Sequence, residues 1–103
     1  MKITRIQYTT SADFAEQNKQ NIAKVMEELK SLNNPGIHYS SYILDDGKTF
    51  MHYVVIRDEE AGKVIPNLES FKHFQTELMA SKPEVPAKVE NLTLVGSSYD
   101  LLS

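Results

Sequence analysis

Cysteine is absent from the chain. That excludes disulfides, thiolate metal ligands and a thiol nucleophile, and it fits a reducing compartment. Tryptophan is absent too, and glycine and proline number only four each, too few for a long linker or a low-complexity tract. Positive charge is not in excess: eleven Lys and Arg against fourteen Asp and Glu leave a formal charge of -3. With no basic patch interleaved with aromatics, no nucleic-acid partner is expected. No apolar run approaches the ~20 residues that span a bilayer. The opening Met1-Lys2-Ile3-Thr4-Arg5-Ile6 has no apolar core of signal-peptide length. The expectation is a cytoplasmic protein with no membrane contact.

What is present suits one globular domain over residues 1–103, since 41% of the chain is hydrophobic and 24% charged. Ile3 to Thr9 alternates as a strand, with Ile6 and Tyr8 pointing one way and Arg5 and Gln7 the other. A helix follows to about Leu32. Asp13 with Glu16 three residues later is a cap pattern, and Ser11 is the rival cap. Phe14, Ile22, Val25, Met26, Leu29 and Leu32 form its apolar stripe. Asn33-Asn34-Pro35-Gly36 stops it. Ile37 to Asp45 and Lys48 to Arg57 read as paired strands around Asp46-Gly47, a dipeptide suited to a type I′ hairpin turn. A one-residue bulge at Gly47 is the alternative and would shift the pairing by one. Asp58 to Gly62 reads as a charged loop, Pro66 to Met79 as a second helix, Lys82 to Pro86 as a breaker, and Lys88 to Val95 as a last strand. The order βαββαβ is the ferredoxin-like arrangement, an α+β fold with a four-stranded antiparallel sheet and two helices on one face.

Both central strands are apolar on both faces: Ile37, Tyr39 and Ile43 alternate with Tyr42 and Leu44, and Phe50, Val54 and Ile56 with Met51, Tyr53 and Val55. Two helices cover one face. Several large apolar side chains left in water on the other exceed what monomers usually expose, so a homodimer is expected. The alternative cover is a long C-terminal tail.

Leu44 to His52, Phe71 to Gln75 and Val89 to Ser97 resemble small bacterial proteins of the dimeric α/β barrel superfamily, nearest to the antibiotic-biosynthesis monooxygenase family. The resemblance implies a dimer whose two sheets close into a barrel, a pocket between sheet and helices, and a cofactor-independent oxygenase acting on a small aromatic or polyketide-like molecule. Quinol oxygenases of that family use a Trp and an Asn, and its haem-degrading branch an Asn on the first strand, a Trp and a haem-ligating His. This chain has no Trp, carries Gln7 on the first strand, and places His73 on the second helix in a different surrounding motif.

His52 is the candidate base, because an imidazole among apolar strand residues can exchange a proton near neutral pH. In the two-residue-turn register it lies opposite Ser41, with Tyr39 and Phe50 on the same surface. These four residues would form a mostly apolar, aromatic small-molecule pocket. The alternative is a structural His bonded to a hydroxyl across the strands. Arg5 and Gln7 share a face of the first strand and could anchor an anion, or could be ordinary strand polar residues. His73 lies four residues from both Glu69 and Glu77, a weak ligand set without a second His. No metal or cofactor is expected. A non-catalytic, metabolite-binding or structural homodimer is the other functional reading.

Overall fold

The computed structural model describes residues 1–102. Strand β1 (Lys2–Thr9) leads into helix α1 (Ala12–Leu32), followed by β2 (Ile37–Ile43) and β3 (Thr49–Ile56). A single helical turn, α2 (Glu59–Gly62), and a 3-10 turn (Ile65–Asn67) precede helix α3 (Glu69–Ala80) and strand β4 (Val85–Leu92). The antiparallel sheet has the order β2-β3-β1-β4. This is the expected α+β, ferredoxin-like arrangement.

The inner face of the sheet contributes Tyr8 and Phe50 to a core shared with Ala15 and Val25 of α1, Leu68, and Phe74 and Leu78 of α3. Ile37, Ala61 and Ile65 form a second cluster, beneath α2 and the 3-10 turn. On the outer face Tyr53, Val55 and Met51 are half-buried and Tyr42 is 55% exposed. Leu94, Val95 and Tyr99 of the segment after β4 are exposed as well.

Local chemistry departs from the sequence reading at four places. Ser11, not Asp13, caps α1: its hydroxyl accepts from the Phe14 N–H at 3.2 Å, and Asn33 ends the helix in the left-handed region at φ 49°. The hairpin is not a type I′ turn. The Gly47 N–H bonds the Leu44 carbonyl at 3.0 Å, so Asp45 and Asp46 are the central residues, and only Gly47 has positive φ, at 75°. The Asp46 carboxylate accepts from the Lys48 and Thr49 N–H groups at 3.0 and 2.9 Å. Even so, Ser41 pairs with His52 and Ile43 with Phe50, the parity a two-residue turn would have given.

Within Asp58 to Gly62, Glu59–Gly62 is helical rather than loop, because the Asp58 side chain caps it by accepting from the Ala61 N–H at 3.0 Å. Finally, β4 begins at Val85 and includes Pro86. Proline fits there because β4 is an edge strand and the β1–β4 register slips between Gln7 and Thr9. The Gly47→Ala variant should lose about 1 kcal/mol of stability, since an L side chain is strained at that φ while nothing lies within 4 Å of the new methyl. A urea titration reads it, and an unchanged midpoint would refute the strain argument.

Candidate functional site

Strand alternation and helical phase bring one set of polar side chains into the core. His52 and Tyr8 project from neighbouring strands, paired through Ile6 with His52 and Tyr8 with Phe50. Ser41 and Tyr39 project from β2, and Asn18 and Asn21 from α1. His52 is 1% exposed and Tyr8 2%. The Tyr8 hydroxyl lies 2.8 Å from His52 Nε2 and accepts from Asn18 Nδ2 at 2.9 Å. His52 Nδ1 faces Ser41 Oγ at 2.6 Å and the Tyr39 hydroxyl at 3.2 Å. The imidazole ring stacks on Tyr8 and meets Tyr39 and Phe74 edge-on, with centroids 5.4 to 5.8 Å apart.

Burial sets the ionisation of this network. It lowers the His52 pKa to about 4, so the ring is neutral at pH 7. Burial raises the pKa of Tyr8, opposed in part by the Asn18 bond, and raises that of Tyr39. All three groups are therefore neutral and act as hydrogen-bonding groups. With the Asn18 amide nitrogen on Tyr8, the Tyr8 hydroxyl donates to Nε2. The single ring proton then sits on Nδ1 and points at Ser41 and Tyr39.

The sequence reading brings His52, Ser41 and Tyr39 together, and the structure does the same. Phe50 lies on the same face, but it is core packing, stacked on Tyr8 at 5.7 Å. Arg5 and Gln7 do not join them. They stand on the outer face, where Arg5 pairs with Glu90 at 2.8 Å, approaches the Tyr53 hydroxyl at 3.3 Å and bonds Gln7. Arg5 and Gln7 therefore lie across the sheet from His52 and are engaged with Glu90, Tyr53 and each other.

Asn18 and Asn21 carry no mark in the sequence beyond their helical phase, yet both are fully buried. Asn18 lies four residues from both Phe14 and Ile22, so the phase of the apolar stripe was the available signal. Asn18 Oδ1 and Asn21 Nδ2 have no partner. His73 faces Glu77 at 3.7 Å in an exposed pair. Among the described residues no group of three or more His, Asp or Glu is placed to hold a metal ion.

A cavity of about 870 Å³ wraps the free edge of β2, between the outer face, the end of α1 and the segment after β4. Tyr39, Tyr42, Tyr53 and Tyr99 line it, with apolar walls from Met26, Leu29, Val55 and Leu94. Tyr39 is the one residue common to the cavity and the His52 hydrogen bonds.

No family model and no curated protein matches the sequence. Solved structures do match in shape. A candidate antibiotic biosynthesis monooxygenase from Bacteroides thetaiotaomicron superposes with a TM-score of 0.82 at 12% identity, covering 97% of this chain and 94% of that one. Its counterpart from Nitrosomonas europaea gives 0.76 at 15% identity, over 93% and 100%. SnoaB, a cofactor-independent oxygenase from Streptomyces nogalater, gives 0.68 at 14%, over 96% and 98%. No helix among the described residues is long and apolar enough to cross a membrane. The chain has the ferredoxin-like fold that these monooxygenase structures share.

Proposed function

We propose that the chain binds a small aromatic, phenolic molecule in the β2-edge cavity and oxidises it with molecular oxygen without a cofactor. The observation that carries the reading is Tyr39, which joins a cavity walled by four tyrosines to the buried His52. A volume of about 870 Å³ suits a small polycyclic ligand. The shared fold with SnoaB supports the oxygenase class.

In such a reaction a methylene flanked by phenolic rings becomes a carbonyl. The substrate supplies all four electrons; one oxygen atom enters the product and the other leaves as water. The protein has to hold the phenol and stabilise its anion. His52 receives a proton through Ser41 or Tyr39 only when Nδ1 is bare and Nε2 protonated. Turning the Asn18 amide, so that Oδ1 accepts from Tyr8, sets that order.

Oxygen uptake with 1,8-dihydroxyanthrone is the test. Consumption of one oxygen per substrate, well above autoxidation in buffer, is expected. Uptake equal to the buffer rate with the ligand bound would replace turnover by the second reading, a non-catalytic binding protein. The second reading has its own support in His52: with a pKa lowered to about 4 the ring is a weak base at pH 7.

In either reading a second copy covers the outer face, closing the open side of the cavity. Exposed Tyr42 and the half-buried Tyr53, Val55 and Met51 motivate this. Light scattering at micromolar concentration should give twice 11.7 kDa. Tyr53→Asp should abolish the dimer, and a well-folded wild-type monomer would refute it.

A further inference from the structure

We infer that one buried water molecule bridges Asn18 Oδ1 and Asn21 Nδ2, and that through it Asn21 acts as a positioning residue that keeps the His52 ring proton on Nδ1. The bridge belongs to the free protein and holds in either functional reading.

Its basis is a pair of complementary orphans. Asn18 and Asn21 are both 0% exposed. Asn18 Oδ1 is an acceptor and Asn21 Nδ2 a donor, yet among the described residues neither has a partner, and they do not bond each other. The two residues lie three apart on α1, so they share one face of the helix. Leaving either group buried and unmet is costly. A buried water needs about two to four polar partners. It can accept from Asn21 Nδ2 and donate to Asn18 Oδ1, which meets both amides at once. Asn21 presents its nitrogen because its oxygen is engaged: Gln17 Nε2 donates to Asn21 Oδ1 at 3.0 Å.

The bridge also has a direction. With Oδ1 on the water, Asn18 gives Nδ2 to the Tyr8 hydroxyl at 2.9 Å. Tyr8 then gives its hydrogen to His52 Nε2 at 2.8 Å. The neutral ring keeps its one proton on Nδ1, which faces Ser41 Oγ at 2.6 Å. Turning the Asn18 amide over would set two N–H donors against the water. The water could accept both only by leaving its own hydrogens without an acceptor from either amide. A continuous chain thus runs from exposed Gln17 through Asn21, the water, Asn18 and Tyr8 to His52 and Ser41. The surface of α1 thereby sets the order of the buried ring.

Two NMR measurements on isotopically labelled protein test it. In wild type, the Asn21 side-chain amide protons should show cross-relaxation with a long-lived water. The His52 nitrogens should show a protonated Nδ1 and a bare Nε2. Asn21→Leu removes the inner donor of the bridge. The ratio of the Nδ1–H to the Nε2–H form should then fall by about three- to tenfold, the effect of one hydrogen bond. Should that variant be unfolded at the assay temperature, the ratio is read on Asn21→Val. A purely structural Asn21 would lower the melting temperature and leave the ring nitrogens as in wild type, which overturns the positioning role. A wild type without the long-lived water, or with its proton on Nε2, overturns the bridge itself.

Discussion

His52→Ala should lower the unfolding free energy by about 3–5 kcal/mol, a large part of what a domain of this size has in total. Two effects add. Removing the ring deletes contacts with Tyr8, Tyr39 and Phe74, all within 5.8 Å centroid to centroid. It also leaves the hydrogen of the Tyr8 hydroxyl, given to Nε2 from a position 2% exposed, without its acceptor while the Asn18 amide still donates to the oxygen, and an unmet buried donor costs about 1–3 kcal/mol. His52→Phe isolates the second effect: it keeps an aromatic ring but removes both ring nitrogens, the partners of Tyr8, Ser41 and Tyr39, so it should lose about 1–3 kcal/mol, toward the lower end if the Asn18 amide turns to accept from Tyr8. Urea unfolding of both variants measures the difference. Equal stability of wild type and His52→Phe would mean that the Tyr8–His52 bond contributes nothing to the fold. Ligand titration on His52→Phe then separates structure from function. Wild-type affinity together with a lower melting point would assign His52 a structural role.

Much of this architecture is legible in the letters. Period-two alternation puts Tyr39, Ser41, Phe50 and His52 on one surface whichever turn closes the hairpin, provided the parity holds. Leu44 and Thr49 preserve it by bonding across a four-residue loop. The position of Arg5 and Gln7 relative to His52 is a different matter. β3 is apolar on both sides, so alternation alone does not say whether His52 or Tyr53 faces the helices, and β1 meets β3 only through long-range pairing. Pro86 misleads because a local rule about donors depends on whether the strand is an edge. Glu59 to Gly62 misleads because four charged and small residues carry too little pattern, and one capping carboxylate, that of Asp58, decides it.

The buried asparagines are the least legible part of the site. Asn18 sits on the apolar stripe but reads as a solvent residue by type, and only its contact with Tyr8 shows why a polar group is kept there. Its amide has two useful orientations, one supplying a donor to Tyr8 and the other an acceptor. The choice sets which nitrogen of His52 carries the proton, and so whether the cavity side of the ring donates or accepts. The unpaired Asn18 Oδ1 belongs to the first orientation. A buried amide with one atom unsatisfied contributes less to stability than an apolar residue of its size would. Asn18→Leu therefore separates packing from proton ordering.

Acid should destabilise the protein through His52, and the direction follows from its pKa. The folded-state value, about 4, lies below the roughly 6.5 of an exposed imidazole. Between these values the unfolded chain binds the proton and the folded chain does not, so protons favour unfolding. The stability held by neutral His52 is complete above about pH 6.5 and is lost as pH falls toward 4, by about 2.5 kcal/mol at pH 4.5 relative to pH 7.5. Asp46 and Asp58 act lower on the scale. Hydrogen bonds from Thr49 and Lys48, and from Ala61 and Arg57, hold their carboxyl groups below the usual value, so their contribution fades mainly below pH 4. The interval from 4.5 to 6.5 is thus the window in which the buried imidazole shows. Urea unfolding of wild type and His52→Phe at pH 7.5 and 4.5 reads it directly. Wild type should lose about 2.5 kcal/mol more than the variant between the two values, so its stability advantage at pH 7.5 should nearly vanish or reverse at pH 4.5. Parallel losses would show that His52 is charged in the folded protein at the lower pH without cost, which a ring sealed between Tyr8, Tyr39 and Phe74 does not allow.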